Sequence, residues 1–198
     1  CPGVVGVAGI RHVGTKVGFS NLGPGAALGA PGGNCVNIGP GEPCLYSIDT
    51  TTNLGTQAPG ASAYTDQFRF NVGTSFSAPI VSGIAGLMAS VNGRLSPAQI
   101  LARLQEGATR PFPVSTDPTI PTCRVPISSS DIQASECVCT TQTCGAGMAN
   151  ALGSIRAALR PVAAIAVPAS VSPGQNVVLR ASGSGAACNR SVVRYSWT

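Results

Sequence analysis

Over residues 75–91 the apolar side chains Ile80, Val81, Ile84, Ala85, Leu87 and Met88 recur at three-to-four spacing, which predicts a well-buried helix. Gly73-Thr74-Ser75 stands just before this stripe. Pro79 falls in the first turn, where a missing N–H costs little because the first four backbone donors of a helix have no intrahelical partner. Such a helix needs an apolar layer to lie on. Val4-Val5-Gly6-Val7-Ala8-Gly9-Ile10 supplies it: a short apolar, β-branched run between turn residues, suited to a strand buried on both faces. Burial on both faces implies a covered sheet.

Two further helices follow. Ser96-Pro97-Ala98-Gln99 reads as an N-cap serine, a proline at the first helical position and a glutamine three residues after the cap, opening a helix that runs to about Glu106. Its Ile100, Leu101 and Leu104 should face the core. A small-residue helix is expected over about 149–159. Residues 21–60 are loop-like, dense in Gly, Pro, Asn and Thr, and are broken by Ala26-Ala27-Leu28-Gly29-Ala30 before Pro31-Gly32-Gly33. After Arg160 the pattern changes to short apolar alternations at 161–168, 177–179 and 192–197, separated by Gly/Ser turns. This places a domain boundary near 160. Three strands in 38 residues cannot bury a sandwich core, so 161–198 is expected to be the incomplete start of an all-β module.

Eight cysteines indicate an oxidising compartment. Cys35 and Cys44 flank one Gly/Pro-rich loop, and Cys123, Cys137, Cys139 and Cys144 crowd another, which suggests two locally stapled loops. A zinc site in the second cluster is the competing reading, but no CxxC pair or nearby His supports it. Cys1 and Cys188 stand alone and are expected to pair outside these residues. Twelve Lys and Arg against seven Asp and Glu give +5, without a basic run or aromatic interleaving, which argues against a nucleic-acid partner. No uninterrupted apolar stretch reaches the roughly 18 to 20 residues of a membrane span.

A serine at a helix start has unpaired backbone N–H groups and the positive end of the helix dipole beside it, both favourable to the oxyanion formed when a carbonyl is attacked. Gly73-Thr74-Ser75-Phe76-Ser77-Ala78-Pro79, leading straight into Ile80-Val81-Ser82-Gly83-Ile84-Ala85-Gly86, resembles the nucleophile motif of the subtilase family. Phe19-Ser20-Asn21-Leu22-Gly23-Pro24, Ala30-Pro31-Gly32 and Cys144-Gly145-Ala146-Gly147-Met148-Ala149-Asn150-Ala151 are similar to further family segments, in the family's order, over roughly 1–159. The remainder resembles the start of a polycystic-kidney-disease-type β-sandwich. The resemblance implies the C-terminal half of a subtilisin-like three-layer α/β domain with a parallel sheet over 1–160 and a truncated all-β sandwich over 161–198. It also implies a serine endopeptidase that works through an acyl-enzyme on Ser75, with the Ser75 N–H as one oxyanion donor and an upstream Asn as the second.

A catalytic serine needs a base, and His12 is the sole histidine. In subtilisin His and Ser lie on the order of 150 residues apart, whereas His12 precedes Ser75 by 63 positions and lacks a His-Gly-Thr context. It reads as a surface residue. Neither the family's Asp-Thr/Ser-Gly segment nor its His segment occurs, so the site is expected to be incomplete and the chain inert by itself. Gly145-Ala146-Gly147-Met148-Ala149-Asn150 ends in Asn after a Cys-rich loop and reads as a packing turn, not a dinucleotide fingerprint. No cofactor is required for this chemistry, and the acidic residues show no calcium-loop spacing by which a structural calcium could be placed. The expected whole is a secreted, monomeric bacterial protein acting on protein or peptide substrates. An inactive relative, or a secreted adhesion or carbohydrate-binding protein, is the alternative.

Overall fold

Strand β1 (Gly6–Ile10) pairs in parallel with β2 (Ala26–Pro31). The structure, a computed structural model, describes residues 3–33, 48–65, 73–113 and 117–197. From Val5 through β1 the side chains alternate: Val5 and Val7 pack toward a cluster that holds Val81, Ile84, Met88 and Leu104, whereas Ala8 and Ile10 pack among four half-cystines and Phe112. Both faces of the sheet are therefore covered, as the apolar run predicts. In β2 the parity slips. Ala26 lies with the cystine cluster and Leu28 and Ala30 with the helices, because Gly6 pairs with Ala26 but Val7 pairs with Leu28. The bulge at Ala27 adds one residue and moves the rest of the strand to the opposite face. Gly145, at φ +85°, lies against it: a methyl there would come within 2.4 Å of the Ala27 carbonyl carbon and the Leu28 nitrogen.

The helical layer consists of α1 (Thr74–Val91), α2 (Pro97–Gly107) and α3 (Ala151–Ala158). The expected capping box is present, with Gln99 N–H donating to Ser96 Oγ at 3.3 Å and the Gln99 carboxamide oxygen accepting from Ser96 N–H at 2.9 Å. Asn150 caps α3 through Gly153 N–H. α1 is less enclosed than its sequence predicts. Ser77, Val81, Ile84 and Met88 are buried, whereas Ile80 and Leu87 are 37% and 51% exposed. The sheet and α3 cover one stripe of the helix, and the two residues at its flank lie beyond their reach. α1 also has the length and apolar content of a bilayer-crossing helix; one stripe of it packs on β1, β2 and α3, and 22% of its residues are buried.

On the other face, Cys123–Cys137 and Cys139–Cys144 are disulfides, so these sulfurs offer no thiolate to a metal. The four clustered cysteines thus staple their own loop as two cystines. Cys1, Cys35 and Cys44 lie outside the described residues, and Cys188 is exposed and has no disulfide partner among the described residues. Residues 14–16 attach this layer to β1: Lys16 N–H donates to Cys137 O at 2.8 Å, and Cys139 N–H to Gly14 O at 3.0 Å.

Two elements were not foreseen. The Ala/Gly-rich segment 26–30 lies in strand β2, and a hairpin that starts within the loop-like text and ends just beyond it pairs β3 (Thr50–Asn53) with β4 (Ser62–Thr65). Over 161–197 the expected strands do not form. Single bridges join Val162 to Gly185 and Ala166 to Arg180, while Val177, Val178, Leu179 and Val193 remain exposed. Without an opposing sheet these side chains have nothing to bury against.

Candidate functional site

Ser75 is the second residue of α1 and is exposed. Its position follows from the glycines around it. Gly73, the N-cap, has φ 145°, a region that L-residues with a Cβ rarely adopt. Its N–H donates to Gly32 O at 2.8 Å, and Gly32 N–H in turn donates to Ile10 O at 3.3 Å. The start of α1 is thereby tied to the C-terminal ends of both parallel strands, the end of an open α/β sheet at which ligands bind.

Close approach is also sterically permitted by glycine. A methyl at Gly32 would sit 2.8 Å from Ser77 Oγ and 3.1 Å from Gly73 O, and one at Gly9 would sit 3.1 Å from Thr74 Cγ2. Gly9 is itself held by its N–H, which donates to buried Ser20 Oγ at 2.8 Å. Gly9, Ser20, Gly32 and Gly73 thus form one support beneath the first turn. Of these, the sequence signal singled out the Phe19-Ser20 and Pro31-Gly32 segments but gave Gly9 no role beyond its strand.

The first turn of α1 has no side-chain cap and no acidic residue. Phe76 N–H donates to Gly73 O at 3.0 Å, whereas among the described residues the Ser75 N–H has no partner and, with the positive dipole end, remains available to an external acceptor. Among the described residues Ser75 has no side-chain hydrogen-bond partner, so nothing there activates its hydroxyl. His12 lies exposed in the turn after β1, where Arg11 N–H donates to Thr15 O at 2.8 Å. The structure does not bring His12 into hydrogen bonding with Ser75.

Gly147 explains the Gly-rich segment before α3. At φ 155° it lets the backbone approach Thr109 O, and Met148 and Thr109 exchange hydrogen bonds of 3.1 and 2.8 Å. It is a packing turn, as read from the sequence.

The geometry defines a class: an α/β layer that presents a serine at an open helix N-terminus over the ends of parallel strands. The chain belongs to the subtilase family, the peptidase S8 family, whose model matches residues 1–147. It is 34% identical over 109 residues to an extracellular protease of Xanthomonas campestris, covering 54% of this chain and 16% of that protein. It is 35% identical over 111 residues to Mycosin-1 of Mycobacterium tuberculosis, covering 56% of this chain and 22% of that protein. A solved protease structure from Pseudoalteromonas arctica superposes with a TM-score of 0.54 at 25% identity, over 80% of this chain and 37% of that one. The chain therefore spans about a fifth of the curated relatives it matches.

Proposed function

We propose that the protein is a serine endopeptidase of the subtilisin type in which Ser75 is the nucleophile. The observation that carries this reading is the exposed Ser75 hydroxyl at the second position of an uncapped helix, held over the strand ends by the Gly73–Gly32 hydrogen bond. Attack of the Ser75 oxygen on a peptide carbonyl places negative charge on the carbonyl oxygen, and the Ser75 N–H lies in the turn that can accept it. One such donor is worth about 10²–10³ in kcat.

The Ser75 proton must pass to a base and then to the leaving amine. The family's His and Asp segments do not occur in these 198 residues, so in this reading the base, its orienting carboxylate and the second oxyanion donor come from sequence outside them. The 198 residues alone are then inert toward peptides. The paired cystines and the extracellular protease among the relatives support a secreted protein. Residues 161–198 are read as the opening of an appended β-sandwich.

The test is peptide hydrolysis by the protein expressed from its complete gene. Ser75→Ala should lower kcat by about 10⁶, the loss seen when a serine peptidase loses its nucleophile. Hydrolysis that persists in this variant would refute the assignment.

A further inference from the structure

The chain's charge is unevenly placed. Residues 1–136 carry seven Lys and Arg and seven Asp and Glu, whereas 137–198 carry five Arg and no acidic residue, which accounts for the whole formal +5. One of these arginines, Arg190, lines a cleft of about 570 Å³ together with Arg94. The cleft lies between the C-terminal end of α1 and residues 182–195, and Asn92, Ser184, Ser191 and Tyr195 contribute polar groups to it. Among the described residues no acidic side chain lines it. Neither guanidinium has an ion-pair partner among the described residues, where the ion pairs engage Arg11, Arg124 and Arg160.

The backbone makes room for this arrangement. Arg94 lies along Gly185, where a methyl would come within 2.2 Å of its Cδ. Cys188 and Asn189, two adjacent non-glycine residues that also line the cleft, both have φ 55°, a conformation of order 1–3 kcal/mol above the favoured regions. Cys188 N–H fixes this turn to α1 by donating to Val91 O at 2.7 Å.

The C-terminal end of α1 opposes an anion with about half a negative charge. Two of its carbonyls are occupied, by Asn92 N–H on Met88 O and by Cys188 N–H on Val91 O. Two full guanidinium charges outweigh what remains.

We propose that this cleft binds a small oxyanion, a carboxylate or a phosphate group, between Arg94 and Arg190. Guanidinium forks match both groups in shape and bond them with charge assistance. The site is separate from Ser75, because sixteen helical residues, about 24 Å, divide Ser75 from Val91.

The experiment is a titration of the 198-residue chain, followed by amide chemical shifts, with inorganic phosphate and with succinate at ionic strength balanced by sodium chloride. Saturable shifts confined to residues 90–94 and 182–195 are expected, with Kd on the order of 1 mM, the range of a weak single-group contact. The Arg94→Gln, Arg190→Gln double variant should bind at least tenfold more weakly. Arg180→Gln, exposed and outside the cleft, should bind as the parent does. Far-UV circular dichroism establishes that each variant is folded. Binding of phosphate alone supports a phosphate group as ligand, binding of succinate alone or of both supports a carboxylate-accepting site, and the absence of saturation or equal affinity in the double variant overturns the proposal.

Discussion

Gly73 donates its N–H to the carbonyl of Gly32 at 2.8 Å. This single bond joins the turn before Ser75 to the end of β2, and the space for it exists because residue 32 has no side chain. Gly32→Ala would set a methyl 2.8 Å from Ser77 Oγ and 3.1 Å from Gly73 O. Overpacking of this kind costs about 1–3 kcal/mol. We expect a thermal midpoint lowered by several degrees, about 2–4 °C per kcal/mol at this chain length. An unchanged midpoint would show that the start of α1 does not depend on this contact.

Ser77 itself is completely buried, and among the described residues its hydroxyl has no hydrogen-bond partner. A buried polar atom left unpaired carries a desolvation cost of about 1–3 kcal/mol. Ser77→Ala should therefore stabilise the chain, by about 1 kcal/mol once the small void is counted. Denaturant unfolding measures this directly. A destabilised variant would mean that the hydroxyl has a partner in solution.

Arg103 closes the C-terminal end of α3. Its guanidinium donates to Ala157 O, Ala158 O and Arg160 O at 2.8, 3.0 and 2.8 Å, and to Pro161 O at 3.0 Å. Asn92 adds a bond to Ala158 O at 2.9 Å. A lysine at 103 cannot span these carbonyls, because its ammonium lacks the planar fork. We expect Arg103→Lys to lose about half of the stability lost in Arg103→Ala, which should be about 2–3 kcal/mol. Stability of Arg103→Lys equal to that of the parent chain would show that charge alone suffices.

Lys16 is 1% exposed, and its ammonium donates to Val17 O and Gly18 O at 3.0 and 2.9 Å. Burial lowers its pKa from 10.5 to about 8. Below pH 8 both folded and unfolded chains carry the charge, and the folded state bears its desolvation. Between about 8 and 10.5 the unfolded chain keeps the proton that the folded chain has released, so stability rises with pH across this window, by about 3 kcal/mol in all. Lys16→Met should remove this rise. A midpoint-against-pH curve of the same slope in the variant would assign the effect to another group.

The legible parts of this molecule were those governed by local rules. The capping box at Ser96 and Gln99, the apolar run 4–10 that contains β1 and the glycine before Ser75 are each legible from residues a few positions apart. β2 escaped notice because Ala and Gly have low strand propensity, and the strand is held by its parallel partner and by the Ala27 bulge, both set by distant segments. The exposure of Ile80 and Leu87 was equally hidden. Periodicity identifies a helix face but not the breadth of the layer that covers it. Ser75 was recognisable as the start of a helix, whereas its support by Gly9 and Gly32 depends on residues 43 to 66 positions away.

The role of Ser75 is tested most directly by a fluorophosphonate probe, which bonds to an activated serine, applied to the protein expressed from its complete gene and followed by peptide mass spectrometry. The adduct should map to Ser75 and vanish in Ser75→Ala. An adduct on another serine, or undiminished labelling of the variant, would contradict the assignment.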